Sequence, residues 1–348
     1  MWKILRYMLF RLDPEWAHEL GAVFLRLRGL FTQGNAPVVR VLSKRQAHLC
    51  GYALDSPVGV AAGFDKDGKL FLGLRSLGFG FVEVGSVTPR PQAGNPKPRL
   101  FRVPEAHALI NRMGFNSEGA EEVAARIERT RALVPVRFPL GINLGKNRET
   151  PLERAADDYV AALQTLYSVA DYLVINLSSP NTPGLTSLQE GDSLRPLLAA
   201  VREARDRKAA KDAGLKRPLF LKLSPDLSRE ARRIAVEAAM EQGFEGLIAS
   251  NTSRRRDFPE LHTSSAQLVA ESGGLSGRPL REDALRHIQE VRSLVGNKAI
   301  LISVGGLGDS QDARERLEAG ADLLQVYTEF VYQGPGYPRR LALDLARP

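Results

Sequence analysis

Five asparagines, two lysines, one serine and a few glycines carry most of the chemistry this sequence offers. Asn111, Asn143, Asn176, Asn181 and Asn251 stand at the ends of apolar runs or in the long connection after residue 87. An amide both donates and accepts, so several converging amides suit a planar ring alternating N–H and C=O groups, such as a pyrimidine or an isoalloxazine. A single asparagine after a strand is an ordinary turn residue; five in equivalent places form a pattern. Lys222 lies inside Leu-Phe-Leu-Lys-Leu. An unpaired ammonium there is expensive, so an anionic partner is implied, either a ligand or a structural carboxylate. Lys66 follows another apolar run and suits a carboxylate or a phosphate. Gly305-Gly306 and Tyr327-Thr328 close two further runs, and Gly277 lies in a glycine-rich loop. Glycines let backbone N–H groups approach an anion, or they simply make turns. Ser179 sits between Ser178 and Pro180 with no histidine nearby in sequence, and the lone cysteine, Cys50, precedes all of these runs.

Such residues act together only if a frame gathers the ends of their strands. Eight short apolar runs occur, at 58–62, 81–84, 138–142, 172–175, 219–223, 246–249, 299–303 and 323–327. Helical patterns fall at 117–131, 151–169, 192–213, 228–242, 280–295 and 310–319. Strands that are apolar throughout are buried on both faces, as in parallel sheets. Eight strand–helix units over about 280 residues predict an α/β fold, a (β/α)8 TIM barrel with an N-terminal two-helix extension. A doubly wound sheet is the alternative. In a barrel the C-terminal strand ends form one mouth, where chemistry sits and where phosphates settle after strands 7 and 8. The connections 87–116 and 252–279 are long enough to be expected as lids or binding loops. No G-x-G-x-x-G or P-loop pattern is present, so a Rossmann or P-loop nucleotide site has no support.

Composition narrows the class. The chain has 348 residues, 43% hydrophobic and 25% charged, which fits a globular protein with a large core and excludes collagen, coiled coil and disorder. One cysteine excludes a disulfide framework, an iron–sulfur cluster and a cysteine zinc site. The histidines at 18, 48, 107, 262 and 287 are dispersed, so no metal is expected. The net charge is +8, and residues 1–45 hold eight Lys or Arg against three acids. Such asymmetry suggests an anionic partner, membrane or nucleic acid. Ile4, Leu5, Met8, Leu9 and Leu12 form one helical stripe; Asp13-Pro14-Glu15 restarts the helix; Trp16, Leu20, Val23, Phe24, Leu27 and Leu30 form a second stripe. No run approaches the ~18 apolar residues of a membrane span. Secretory and transit signals fit poorly. Two readings stay open, an in-plane membrane-surface element or a pair of helices packed on the main domain.

Combinations of motifs go further. The runs Ala61–Gly68, Glu83–Pro91, Asn111–Asn116 (Asn-Arg-Met-Gly-Phe-Asn), Asn176–Gly184 and Gly273–Gly277 closely resemble the class 2, quinone-linked dihydroorotate dehydrogenases, and the resemblance spans essentially the whole chain. It implies an FMN-binding barrel that oxidises (S)-dihydroorotate to orotate in pyrimidine biosynthesis and passes electrons to a membrane quinone. Carried over position by position, Ser179 matches the class 2 catalytic base, where class 1 relatives have cysteine. Lys66, Asn111, Arg112, Met113, Gly114, Phe115, Asn176, Asn181, Asn251 and Thr252 match the substrate region. Ala62, Gly63, Phe64, Asp65, Lys66, Ser86, Asn143, Asn176, Lys222, Ser250, Gly277, Gly305, Gly306, Tyr327 and Thr328 match the FMN region. Many relatives carry threonine where this chain has Ser86 and Ser250, with the hydroxyl kept. His18 and Arg102 match residues lining a quinone tunnel.

The resemblance divides the chain into a quinone-access segment, 1–45, and an FMN barrel, 46–348. It also implies a monomer, with no nucleic-acid partner expected; the poor fit of a transit signal favours a peripheral place on the cytoplasmic face of a bacterial membrane, and the basic surplus of residues 1–45 favours an anionic surface there. A serine is a poor base in water, so Thr182 is expected to help carry the proton away while Phe115 excludes solvent. Two alternatives remain at this point. One is another FMN barrel reductase acting on dihydropyrimidines or on tRNA dihydrouridine; the other is a non-catalytic membrane-surface module on a barrel scaffold.

Overall fold

The computed structural model describes residues 2–35, 48–134, 137–182 and 184–347. The division drawn between residues 45 and 46 lies outside the described residues. Two helices lead, α1 (Trp2–Leu9) and α2 (Pro14–Thr32). The Asp13 carboxylate caps α2 by accepting N–H bonds from Glu15 (2.9 Å) and Trp16 (3.1 Å), with Pro14 opening the first turn. A small hairpin follows, β1 (His48–Leu49) with β2 (Tyr52–Ala53).

The body alternates strand and helix. It runs β3 (Val58–Asp65), α3 (Phe71–Ser76), β4 (Phe81–Val87), β5 (Leu100–Val103), β6 (Ala108–Asn111) and α4 (Ala120–Leu133). Next come β7 (Leu140–Leu144), α5 (Ala155–Leu166), β8 (Tyr172–Asn176), α6 (Leu194–Lys211), β9 (Leu219–Leu223) and α7 (Arg229–Glu241). The chain continues with β10 (Gly246–Ala249), α8 (Ala266–Val269), β11 (Gly274–Gly277), α9 (Arg281–Val295) and β12 (Ile300–Val304). It ends with α10 (Ser310–Glu318), β13 (Leu323–Val326), α11 (Thr328–Gln333) and α12 (Tyr337–Ala346).

Eight of these strands close into a parallel barrel in the order β3-β4-β7-β8-β9-β10-β12-β13. The seam is β13 against β3, with Gln325 opposite Gly59. The eight apolar runs are these eight strands, so the fold is the (β/α)8 barrel expected and not a doubly wound sheet. Small and large residues alternate inside. The rings of Phe81, Tyr172 and Phe220 fill the space that a Cβ on Gly59, Gly141 or Gly246 would take, with ring atoms 2.5, 2.1 and 2.1 Å from those points. Side chains plug the lower barrel, which leaves only the upper end open to a ligand.

The two long connections are not structureless lids. Each contributes to a three-stranded antiparallel sheet, β11-β6-β5, with Gly274 opposite Asn111 and Leu100 opposite Asn111 on the other side. This sheet has its own small core, including Val103, Ile110, Phe258, Leu261 and Leu275. Backbone pairing between two distant loops makes a fixed roof over part of the barrel mouth.

The leader helices pack in a way the stripes did not predict. In α2 only Ala22, Leu25 and Gly29 are buried, and α1 buries none of its residues. Trp16, Leu20, Val23, Phe24, Leu27 and Leu30 point outward. The contact with the barrel is a small-residue seam against α3. A Cβ on Gly73 would lie 2.1 Å from the Leu25 carbonyl oxygen, and one on Gly29 would lie 2.7 Å from the Gly73 nitrogen. Polar ties add to it: Arg28 donates to the Ser76 carbonyl, Trp2 to the Tyr332 carbonyl, and Arg99 pairs with Glu15 at 3.1 Å.

Candidate active site

The C-terminal ends of the barrel strands, the roof sheet and one face of α2 enclose a cavity of about 580 Å³. The α2 face is Glu15, His18, Glu19, Ala22 and Arg26, residues that share one side of a helix at steps of three and four. The barrel contributes Ala62, Gly63, Phe64, Lys66, Ser86, Asn176, Lys222, Ser250, Gly305, Gly306, Tyr327 and Thr328. The loops beyond β8 and β10 contribute Ser179, Asn181, Asn251 and Thr252, and the roof contributes Asn111, Met113, Gly114, Phe115, Asn116 and Gly277.

Four of the five asparagines therefore line one chamber, and the fifth lies just beneath it. Asn143 is fully buried; it accepts from Asn176 Nδ2 (3.0 Å) and from Ser86 Oγ, and donates to Glu83 Oε1 (2.7 Å). Asn181 donates to Asn111 Oδ1 at 3.0 Å, and Asn251 donates to Ser178 Oγ at 2.8 Å. Ser178 in turn donates to Asn176 Oδ1 at 2.8 Å. These bonds orient the amides before any ligand arrives. Three acceptor atoms on the chamber wall remain buried with no partner among the described residues: Asn116 Oδ1, Asn181 Oδ1 and Gln325 Oε1. A buried acceptor left unmatched is costly, so each favours a ligand that brings an N–H or O–H group.

The floor holds a residue that sequence reading passed over. Glu83 is fully buried and bonds to three strands at once. Its carboxylate accepts from Asn143 on β7, Gln325 on β13 (2.5 Å) and the Lys222 ammonium on β9 (3.4 Å). Lys222 thus has the structural carboxylate weighed above, and it also lines the chamber. An acid inside the apolar run Phe-Val-Glu-Val carries the same signal as the lysine inside its own run, and it was available in the sequence.

Charge on the walls is shaped by burial. Lys66 has its ammonium drawn down to about 8, chiefly by desolvation. His18 is lowered by burial and then by the Lys66 charge, so it is neutral at physiological pH. Burial raises Asp65 to about 6. Its carboxylate accepts the backbone N–H groups of Lys69 and Leu70, both at 2.8 Å, in the turn that leads into α3, and the residue also lines the chamber. Tyr327 is pushed up to about 12 by burial. An aromatic chain links leader to mouth: His18 meets Phe64 edge-on at 5.0 Å, and Phe64 meets Tyr327 at 5.5 Å.

Ser179 is buried on the chamber wall, and its Oγ accepts the Asn181 N–H at 3.3 Å. Phe115, in the left-handed region at φ 55°, sets its ring 3.1 Å from the point a Gly145 Cβ would occupy. Thr182 is buried but off the chamber wall, and no hydrogen bond joins it to Ser179 among the described residues. Arg112 is also outside the wall, paired with Glu271 at 2.6 Å. Arg102 is not in the chamber either. It donates to the Leu12 carbonyl at 2.8 Å, stacks over Phe10 at 4.7 Å, and borders a separate hollow near the turn between α1 and α2.

Known proteins resemble this chain along nearly its whole length. The family model for dihydroorotate dehydrogenase matches residues 45–347. This chain belongs to the dihydroorotate dehydrogenase family. A dihydroorotate dehydrogenase (quinone) of Thermus thermophilus is 48% identical over 343 residues, 97% of this chain and 94% of that protein. One of Azotobacter vinelandii is 44% identical over 353 residues, 99% and 97% of the two chains. The crystal structure of the Eimeria tenella enzyme in complex with ferulenol superimposes with a TM-score of 0.83 at 38% identity, covering 96% of this chain and 90% of that one. The ligand-free form gives 0.85 at 37% identity. The chain is thus an oxidoreductase of the quinone-linked branch, and dihydroorotate oxidation is its reaction class.

Proposed function

We propose that this enzyme oxidises (S)-dihydroorotate to orotate in the chamber described, with FMN as the resident cofactor and a membrane quinone as the final acceptor. The observation that carries the reading is the gathering of Ser179, Lys66, Lys222 and four asparagines on one cavity wall. The chamber suits FMN and a pyrimidine together. The unmatched acceptors of Asn116, Asn181 and Gln325 call for N–H donors on planar rings. At the phosphate end, a Cβ on Gly306 would lie 2.4 Å from the Arg281 nitrogen and one on Gly277 would lie 2.3 Å from the His107 carbonyl oxygen, so only glycine fits at either place.

FMN, when bound, supplies the two-electron acceptor for a hydride leaving the substrate ring and hands the electrons on to the quinone. Lys66 offers its ammonium to the substrate carboxylate. Asn111, Asn176, Asn181 and Asn251, held by the bonds above, fix the ring's N–H and C=O groups. Ser179 Oγ takes the proton from the carbon beside the ring carbonyl; the Asn181 N–H holds that oxygen in place. Phe115 covers the chamber and limits water. Lys222 places positive charge beside the amide cluster, and Glu83 anchors it. Thr182 serves as a proton exit only through a rearrangement or a bridging water, since no direct bond to Ser179 exists among the described residues.

The leader supports the quinone half. Its outward apolar side chains run from Ile4 to Phe31, whereas elsewhere in the described chain only Leu133, Leu215, Leu294 and Leu343 are comparably exposed among large apolar residues. A patch of that extent suits an interface, and an amphipathic pair with Trp, Phe and basic residues suits a lipid surface. No helix among the described residues is long and apolar enough to cross a membrane. His18 and Ala22 line the same chamber from α2, which gives an acceptor lodged under the leader a route to Phe64 and the barrel mouth.

The test is spectroscopic. The purified protein should be yellow with flavin absorbance, and dihydroorotate should bleach it without oxygen; added quinone should restore the colour. A colourless protein, or one that dihydroorotate leaves yellow, would end the proposal.

A further inference from the structure

Arg316, on α10, lies wholly out of solvent beneath the Gly305-Gly306 turn and outside the chamber wall. Its guanidinium donates to the Ser303 hydroxyl (3.0 Å), the Arg281 carbonyl (2.7 Å) and the Gly305 carbonyl (3.0 Å). No carboxylate lies within ion-pairing distance of it among the described residues, while neighbouring Arg281 is paired with Asp312 and Glu315. Burial, offset in part by the Asp312 carboxylate, draws Arg316 down to about 10, which leaves it charged at neutral pH. A buried cation bonded only to neutral oxygens is an unusual expense.

The geometry explains what that cation accomplishes. A trans peptide is planar, and its C=O and N–H point in opposite directions. Arg316 holds the Gly305 carbonyl, so the Gly306 N–H on the same peptide is aimed away from the guanidinium, on the side where Gly306 lines the chamber. That N–H has no acceptor among the described residues. The same guanidinium ties the turn to the first residue of α9 through the Arg281 carbonyl. We infer that Arg316 is a positioning residue for the cofactor's phosphate: it aims the Gly306 N–H at the anion and places a positive charge with no direct ion pair behind the turn. The inference rests on the FMN reading above and deepens it, because it assigns the preference for a phosphorylated flavin to a residue that never touches the flavin.

The experiment compares two ligands on the apoprotein, FMN and riboflavin, by quenching of flavin fluorescence. Arg316→Gln should weaken FMN binding about tenfold or more, the effect of losing a charged hydrogen-bonding group, and leave riboflavin affinity unchanged. Arg316→Lys keeps the charge with a smaller donor set and should recover part of the loss. Raised inorganic phosphate should compete with FMN on the wild type and less well on Arg316→Gln. If Arg316→Gln does not fold, the Lys variant carries the comparison by itself. An equal loss for FMN and riboflavin, or no loss for either, overturns the inference and leaves Arg316 a packing residue. A wild-type apoprotein that binds neither flavin removes instead the cofactor reading underneath.

Discussion

The barrel and its leader use apolar residues in opposite senses. In the barrel, strands such as Leu219–Leu223 and Tyr172–Asn176 bury every residue, because helices cover the outside and neighbouring side chains fill the inside. In the leader, the strongest apolar stripe faces outward, and the face that meets the body is built from Ala22, Leu25 and Gly29. A hydrophobic stripe marks which residues want to leave water, but not what receives them. In the barrel the receiver is the same chain. In the leader it is something else, and the body is gripped through a glycine seam that lets two helices approach closely.

That contrast predicts that the two regions separate by half-reaction. The largest effect is expected from removing residues 1–35: quinone turnover should vanish while anaerobic bleaching by dihydroorotate persists. Retained quinone turnover would mean that the chamber needs no leader. Ser179→Ala should do the reverse, slowing bleaching by roughly 10²–10⁴ while orotate still binds, which stopped-flow absorbance and an orotate titration would show. An unchanged rate would remove Ser179 from proton transfer.

Vesicle flotation sharpens the leader side. Exchanging Trp16 and Leu27 for glutamate should weaken binding to anionic vesicles by about tenfold for each site, given the ~1.5–3 kcal/mol that burial of a large apolar side chain is worth. The melting temperature should stay within a few degrees, since both side chains are exposed in the folded chain. Loss of the fold would mean that this stripe packs inward after all. The smallest effect concerns Lys66. Because burial draws its ammonium down to about 8, it is protonated at pH 7 and loses the proton as pH rises through that value. Orotate affinity should therefore be full at pH 7 and fall by about tenfold per pH unit between roughly pH 8 and 9. Lys66→Met should bind orotate weakly and without that pH dependence; a wild type with flat affinity to pH 9 would separate Lys66 from the carboxylate.

Much of the site could be read from the chain because strand ends carry meaning in a closed barrel. Once eight apolar runs are counted, the polar residue after each must face one mouth, so Asn176, Asn251 and Gly306 fall together by topology. Charged residues inside such runs are equally legible, Glu83 in Phe-Val-Glu-Val as much as Lys222 in Leu-Phe-Leu-Lys-Leu. Other features depend on contacts between distant segments. Arg316 looks like any helix arginine until α10 places it under Gly305, and no local pattern shows that Arg102 meets the turn between α1 and α2 or that Thr182 lies off the chamber wall.

By itself, then, the sequence determined the barrel, its strand count and the set of polar groups at its rim, because local periodicity and strand-end chemistry suffice for those. Tertiary structure decided the rest: the side of α2 that meets the body, the pairing of two long loops into a roof, and the carboxylate that anchors Lys222. Each of these is an interaction between residues far apart along the chain, and no local pattern encodes which distant surface a residue will meet.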